Sequence, residues 1–336
     1  MAETLKIAIP MAGLGTRMRP HTWSKPKPLI ALAGKTVLDY VLEQFNTLPD
    51  PKNVEFVFIV GPNQLQQVEK HMQRLHAEKV VHYVIQEQMR GQSDALHLAR
   101  EYLHGPMLMA FSDTLIETDL SVLGAIKYDG MAWVKPVLDP RRFGVVEVDP
   151  QGWVTRFIEK PVEISNNLVA VGFYYFRKAE NLLAAIEEQM SRGITIKNEY
   201  FLIDAINIML AGGARMKPNP VDVWMDAGLP ETLLETNRYL LQHGRDNSSE
   251  AARPGVAIIP PVFIHPNAKV ENSVIGPFVS LGEDCTLKQV IVRNSIFDEC
   301  ANVQSIVLEN SLLGKDVQIH GQPNRLNLGD QSWAMS

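Results

Sequence analysis

Three short segments near the end of the chain restrict its fold more than any other feature. Glu271-Asn272-Ser273-Val274-Ile275-Gly276, Arg293-Asn294-Ser295-Ile296-Phe297-Asp298 and Glu309-Asn310-Ser311-Leu312-Leu313-Gly314 are near-copies whose starts lie 22 and 16 residues apart. Around them, short apolar pairs recur every five or six residues, punctuated by Gly, Asn, Asp and Pro. Self-similarity of this kind predicts a hexapeptide β-helix, a stack of a few coils that each bury their apolar face only against their neighbours. Ile264, Val270, Ile275, Leu281, Leu287, Phe297, Val303 and Leu313 are expected to point inward. An ordinary β-sandwich fits less well, because alternation over five to eight residues per strand is poor. The preceding stretch 243–255, HGRDNSSEAARPG, is polar and apolar-poor and reads as a linker. The expected organisation is a larger N-terminal domain over 1–242, a linker over 243–255 and a β-helix over 256–325.

The N-terminal part has another texture. Residues 5–11, LKIAIPM, read as a buried strand running into glycines. Residues 36–47 read as a helix capped by Thr36 with Asp39 three positions on, followed by Val37, Val41 and Phe45 at i, i+4, i+8. Strands over 54–60, 80–86 and 107–113 alternate with helices over 62–75 and 92–103. This alternation implies a mostly parallel α/β sheet with helices on both faces, and a ligand beyond the C-terminal ends of its strands. The Gly13 loop and Asp113 fall at such ends. Strands predominate from 131 to 176, with a hairpin turn expected at Asp149-Pro150-Gln151-Gly152. Helices return near 178–190, 199–211 and 230–242.

A net charge of −6 over 336 residues gives no support for a nucleic-acid partner. Cys285 and Cys300 are the two cysteines, without metal spacing or a disulfide framework. They read most simply as small core residues, and a reducing cytoplasm is expected. The N-terminus lacks the charged and apolar regions of a signal peptide. The uncharged run 166–176 is shorter than the roughly 20 residues of a membrane span, so no membrane partner is expected.

Gly13-Leu14-Gly15-Thr16-Arg17 offers backbone N–H groups to phosphate oxygens without side-chain obstruction. A dinucleotide fingerprint needs a third glycine where Met18 stands, and the P-loop pattern does not occur. A plain strand-to-loop turn competes with phosphate binding. The next residues favour phosphate. A long, proline-stiffened stretch from Pro20 to Leu29 keeps Arg17 and Lys27 in one loop system, ten residues apart. Arginine clamps phosphate oxygens with a bidentate fork and lysine supplies a point charge, so the pair suits a triphosphate.

GLGTRMRP followed by KPKPL and AGK resembles the sugar-1-phosphate nucleotidylyltransferases, or sugar-nucleotide pyrophosphorylases. IPMAGLGTRM looks like the opening of bacterial glucose-1-phosphate uridylyltransferases, whereas PKPL is closer to the thymidylyl- and mannose-1-phosphate guanylyltransferase branches. The resemblance covers essentially the whole chain, since family members often carry a C-terminal left-handed β-helix. It implies a Rossmann-like, mostly parallel doubly wound sheet followed by that β-helix. It implies that Ala12, Gly13, Leu14, Gly15 and Thr16 cradle the triphosphate with Arg17, and that Lys27 stabilises charge at the α-phosphate. Gln86 and Gly91, in the segment QEQMRGQSDA, match the positions that read the nucleobase, with Gln92-Ser93 departing from the usual pair there. Asp113, after Ser112 in place of the family glycine, and Asp226, in WMDAG, would hold Mg²⁺. Gly144, Glu159, Lys160 and Gly172 match stations around the sugar phosphate, with Ile158 replacing the first acid of that motif; Val171 and Glu199 lie at further stations.

The implied reaction joins a nucleoside triphosphate and a sugar 1-phosphate into a nucleotide sugar and pyrophosphate. Uridine or thymidine nucleotides and glucose 1-phosphate are the default substrates. GTP with mannose 1-phosphate, a non-catalytic sugar-nucleotide-binding paralogue and a bifunctional acetyltransferase are the alternatives. For the acetyltransferase, about 80 residues of solenoid are too few. A homo-oligomer, with the β-helix as the candidate interface, is expected because an open stack end needs a cap.

Overall fold

The computed structural model describes residues 3–322, so residues 323–325 of the expected β-helix span lie outside the described residues. The chain divides into two compact units. One comprises the residues up to Ile30 together with Thr36–Thr232; the other comprises Ala31–Lys35 and the chain from Leu233 onward.

The first unit is built on a nine-stranded sheet. Its centre is parallel: Leu5–Pro10 lies between Val54–Val60 and Met107–Ala110, and Val80–Ile85 extends the sheet beyond Val54–Val60. The three central runs are largely apolar because both their faces are covered, whereas Val80–Ile85 at the edge is half-exposed. Side-chain alternation shows the two faces. Ala8, Val57 and Ile59 share one cluster with the helices Gln92–Leu98, Ala179–Ser191 and Leu202–Ala211. Phe56, one position from Val57, meets Phe45 at 5.8 Å instead. The sheet is therefore doubly wound, as the alternation of strands and helices predicts.

The strand-rich region turns antiparallel. Leu168–Phe176 runs against Met107–Ala110 and against Gly130–Pro136, and Val154–Glu159 closes a hairpin with Gly144–Val148. The hairpin turn is the one expected, closed by Asp149 N–H to Trp153 O at 2.9 Å. Pairing of Leu168–Phe176 with Gly130–Pro136 shifts register between Ala170 and Tyr174. Gly172 sits in that bulge at φ +81°, where a Cβ would lie 2.2 Å from the Phe111 ring. Glycine is required here by both conformation and space.

The helix Val37–Glu43 begins with the expected capping box: the Thr36 side chain accepts from Asp39 N–H, and the Asp39 carboxylate accepts from Thr36 N–H at 2.8 Å. Burial alone would raise the Asp39 pKa, but hydrogen bonds from His71, His76 and Thr36 hold it well below the usual carboxylate range.

The second unit is a stack of parallel coils. Strands pair with strands 17 residues on in the first coils, as Val262 with Val279 and Lys269 with Thr286. The later spacing is 16, as Thr286 with Asn302 and Asn302 with Gln318. All eight residues expected to point inward are buried there. The corners explain the coil length. Left-handed backbone recurs in three columns: Asn272, Gln289 and Ser305; Phe278, Asn294 and Asn310; Asp284, Cys300 and Asp316. Each coil thus turns three times, with successive turns five or six positions apart.

The near-copies are corner devices, and the three do not stack in a single column. In each, asparagine takes the left-handed position and the following serine donates to the carbonyl two residues back. Ser273 and Ser295 also accept a backbone N–H from the next coil, from Val290 and Ser311 respectively, each at 3.0 Å. The second and third copies lie over one another, through Arg293–Glu309 pairing. The first occupies a different column, stacked under Gln289. Polar residues 246–251 are bound to the first coil: Asn247 brackets Ile264 through bonds of 2.8 and 2.9 Å, and Asp246 accepts from Val262 N–H. Cys285 is a core residue whose thiol burial pushes up to about 11, and Cys300 is an exposed corner.

Candidate active site

The first strand ends in a loop held from behind. Met11 N–H still bonds Ile59 O at 2.8 Å. Beyond it, the Gln64 side chain donates to Ala12 O at 3.4 Å and Gly13 O at 3.1 Å, and accepts from Gly61 N–H. Gly15 turns the chain at φ +59°, with its carbonyl accepting the Thr22 hydroxyl at 2.8 Å, and starts the short turn Thr16–Met18. Met18, wholly buried, anchors that turn while Arg17 is exposed. Sequence reasoning did not find Gln64; its contact to the loop arises across the parallel pair and leaves no local pattern.

This loop borders a cavity of about 500 Å³. Ala12, Gly13, Gly15, Thr16, Arg17, Lys27, Gln86, Gly91, Asp113 and Glu199 all line it, which brings together most of the residues expected at the triphosphate and the base. Leu14 is not part of the wall; its side chain is 61% exposed. Asp226 and the sugar-phosphate stations Gly144, Glu159, Lys160 and Gly172 are not in this lining either, and their placement is described below.

Lys27 opens a short turn at Lys27–Leu29 and forms a close ion pair with Asp113. Asp113 directly precedes the strand Thr114–Ile116, which pairs antiparallel with Trp224–Asp226 and sets Asp226 opposite Thr114. Ala227 N–H donates to Asp113 O at 3.0 Å. The ribbon therefore delivers both aspartates to one end. Asp226 accepts from Gly228 N–H at 2.8 Å. Burial, and then the Asp113 charge, push its pKa above the ordinary value, against the opposing charges of Lys27 and Arg17. Two carboxylates with one lysine form a site of divided charge, suited to a hard divalent cation and phosphate oxygens together.

Gln86 is buried at the end of its strand. Its amide N–H₂ donates to Gly91 O at 3.2 Å and to Asp94 at 2.9 Å, leaving its Oε1 as an acceptor. Asp94, which in sequence reads as an ordinary first-turn acid, takes one amide proton and Gly91 O the other, which restricts the Gln86 side chain to accepting. Gly91 has φ +99°, and a Cβ there would meet the Tyr200 backbone at 2.4 Å. Tyr200 N–H bonds Arg90 O at 2.7 Å, so the segment carrying Glu199 closes on this wall.

The remaining stations gather on the antiparallel part of the sheet. Glu159 and Gly144 are register partners, and a Cβ on Gly144 would lie 3.3 Å from the Glu159 carboxylate. Burial raises the Glu159 pKa, opposed by Lys160, whose Nζ is 3.4 Å away and 5.2 Å from the Phe201 ring centroid. Gly172 joins the two regions: its carbonyl accepts from Phe111 N–H at 2.9 Å, and Val171 O accepts the Thr114 hydroxyl. Two further polar groups stand here. Asp204, next to Ile203 beside Gly144, has a buried Oδ2 without a hydrogen-bond partner, and burial raises its pKa. Trp224 Nε1 is also buried and unpartnered, with its ring edge-on to Phe143 at 5.0 Å. Buried polar atoms left unsatisfied point to groups that a ligand supplies.

Comparison with known proteins agrees with this geometry. Residues 8–243 match the family model described as nucleotidyl transferase. A glucose-1-phosphate thymidylyltransferase of Streptomyces griseus is 28% identical over 98% of this chain and 99% of its own. A bifunctional protein GlmU of Methanococcus vannielii is 28% identical over 69% of this chain and 54% of its own length. Among solved structures, a putative glucose-1-phosphate thymidylyltransferase of Bacillus anthracis, crystallised with sucrose, superposes with a TM-score of 0.61 at 21% identity, over 70% of this chain and 94% of its own. With its glycine loop, paired aspartates and doubly wound sheet, the chain belongs to the nucleotidyl transferase family.

Proposed function

We propose that the protein transfers a nucleotidyl group from a nucleoside triphosphate to a sugar 1-phosphate, releasing pyrophosphate. The observation that carries this reading is the meeting of Arg17, Lys27 and Asp113 with Gln86 around one cavity, with Asp226 delivered beside Asp113 by the short ribbon. The size suits a nucleotide, since ligand cavities typically run about 300–1,000 Å³.

No protein nucleophile is needed. The sugar phosphate carries an anionic oxygen at neutral pH. This oxygen attacks the α-phosphorus, a new P–O bond forms, and the bond to the departing pyrophosphate breaks in line. Two anions must approach each other, so the protein contributes position and positive charge. The Gly13–Thr16 backbone and Arg17 hold the triphosphate. Lys27 exchanges part of its pairing with Asp113 for the charge that develops on the phosphates. Glu159, Lys160 and Gly144 orient the sugar phosphate, and the unsatisfied Asp204 and Trp224 atoms accept from and donate to sugar hydroxyls. Asp113 and Asp226 would hold Mg²⁺, which when bound supplies charge neutralisation to the phosphate oxygens.

The free acceptor on Gln86 suits a ring N–H, which uracil, thymine and guanine present and adenine and cytosine lack, so the choice of a pyrimidine rests on the thymidylyltransferase relative. Glucose 1-phosphate is the sugar substrate by the same relative. Pyrophosphate release across a grid of nucleoside triphosphates and sugar 1-phosphates tests all of this. Turnover with UTP or dTTP and glucose 1-phosphate is expected; turnover with GTP and mannose 1-phosphate alone overturns the substrate assignment, and no turnover with any pair overturns the reaction. A homo-oligomer assembled through the β-helix belongs to the same proposal, supported by the exposed apolar neighbours Ile291 and Val307 on one sheet of the stack. Sedimentation velocity tests it, and a monomer at assay concentration refutes it.

A further inference from the structure

One cluster in the first unit has no part in nucleotidyl transfer. Asp39, in the first turn of the Val37–Glu43 helix, faces His71 on the helix Leu65–Leu75 and His76 directly after it. The Asp39 Oδ1 atom lies 2.8 Å from His71 Nε2 and 2.7 Å from His76 Nε2. Its Oδ2 is held by Thr36 N–H at 2.8 Å and the Thr36 hydroxyl at 2.7 Å. Asp39 and His71 side chains are 7% exposed and His76 17%, so the cluster is closed on the core side and reached past His76.

We infer that Asp39 Oδ1, His71 Nε2 and His76 Nε2 bind one divalent transition-metal ion of the Zn²⁺ type. The three atoms lie within 4.8 Å of one another and converge from two helices. A tetrahedral ion with bonds of about 2.0–2.1 Å holds its ligands about 3.3 Å apart, so each imidazole needs to withdraw by about half an ångström. Two imidazoles and one carboxylate select Zn²⁺, Co²⁺ or Ni²⁺ over Mg²⁺ and Ca²⁺, which demand oxygen. Binding takes the proton off each Nε2: in a neutral ring it moves to Nδ1, and from an imidazolium it passes to solvent. Thr36, gripping the other carboxylate oxygen, fixes the orientation of Asp39 as outer partners of metal ligands do. The Thr36 hydroxyl, 3.4 Å from His71 Nε2, stands beside the remaining position, which it or a water fills. The ion would tie the capped helix to its neighbour and stabilise the fold, without touching the phosphate chemistry.

The test uses the full-length protein, freed of metal by a chelator and titrated with Zn²⁺ and Co²⁺ in excess Mg²⁺. One equivalent of Zn²⁺ is expected to bind at low micromolar concentration and raise the melting temperature by several degrees, because an ion that binds only the folded state stabilises it. Co²⁺ is expected to show the strong visible bands of four-coordinate geometry. His71→Gln with His76→Gln keeps amide donors toward Asp39 but removes both imidazoles, and is expected to lose that equivalent while retaining pyrophosphate release with Mg²⁺. No binding, or equal binding by the double variant, overturns the site. Should the variant not fold, X-ray absorption at the zinc edge of the unaltered protein decides: two imidazole ligands support the inference and none overturns it.

Discussion

Lys27 has two sets of partners available, the Asp113 carboxylate in the free protein and phosphate oxygens when substrate arrives. Removing it leaves two neighbouring aspartates without their cation and takes a charge from the reacting phosphates. Lys27→Ala is expected to lower kcat by about 10²–10³, the order for one charge-stabilising group. Arg17→Ala falls in the same range under the same assay. Rates within a few-fold of the unaltered enzyme would remove both residues from the proposal. Asp226 makes a separate prediction. Its raised pKa means the folded state holds the proton more tightly than the unfolded chain. The associated stability is present in full below the unfolded value of about 3.9 and is lost as pH rises through the folded value. At neutral pH its ionised form is a standing cost. Asp226→Asn should therefore raise the melting temperature at pH 7, with little change at pH 4, while lowering Mg²⁺-dependent turnover by at least about 10². A calorimetric scan showing destabilisation at pH 7 contradicts this. At this scale the charged members of the candidate site were legible: Arg17 and Asp113 follow a glycine loop and a strand end, Lys27 lies in the same proline-stiffened stretch as Arg17, and Asp226 stands in a motif that resembles the family's. Gln64, Asp94, Asp204 and Trp224 were not, since Gln64 meets the loop only across the parallel pair, Asp94 reads as an ordinary first-turn acid, and the burial of the Asp204 and Trp224 polar atoms is a property of the packed fold.

The elements were more legible than their joints. The Thr36–Asp39 box could be read from spacing because a helix start is a local event. Thr36→Ala is expected to cost about 1 kcal/mol, seen as a melting temperature lower by a few degrees. No measurable shift would show that the cap contributes nothing beyond the helix itself. The bulge at Gly172 could not be read this way. In sequence Leu168–Phe176 is one uninterrupted apolar strand, and only the register shift shows where it breaks. Gly172→Val would drive a side chain into Phe111, the residue two before Asp113. The expected result is a kcat loss of at least about tenfold, measured by pyrophosphate release, in a protein that still folds; an unchanged kcat would detach the bulge from the site. The near-copies gave a correct fold for an incomplete reason. They mark corners, so their 22-residue spacing is not a coil length.

Across the whole molecule, each compact unit has its own apolar cluster, one around the sheet and its helices and one inside the coils. Truncating a coil residue should then unsettle the coils without altering the chemistry. Leu281→Ala is expected to destabilise by about 2–5 kcal/mol, as buried leucines do, while kcat at 20–25 °C stays within about twofold. A large kcat loss at full folding would show that the stack acts on catalysis. The α/β class and the solenoid were both visible in sequence, because period and alternation are properties of long stretches. The assignment of Ala31–Lys35 to the second unit was not, since five residues carry no such period.

The corners of the solenoid have one more consequence. Their left-handed residues and bridging serines fix where the chain bends, while the straight runs between them are four or five residues long. A run can therefore lose or gain a residue without any coil slipping off the one beneath, and the change from 17 to 16 is such an event preserved in one chain. Relatives of this protein should be aligned bend to bend rather than in windows of six. Deletions confined to a run are then tolerated, whereas loss of a bend residue misplaces every coil that follows.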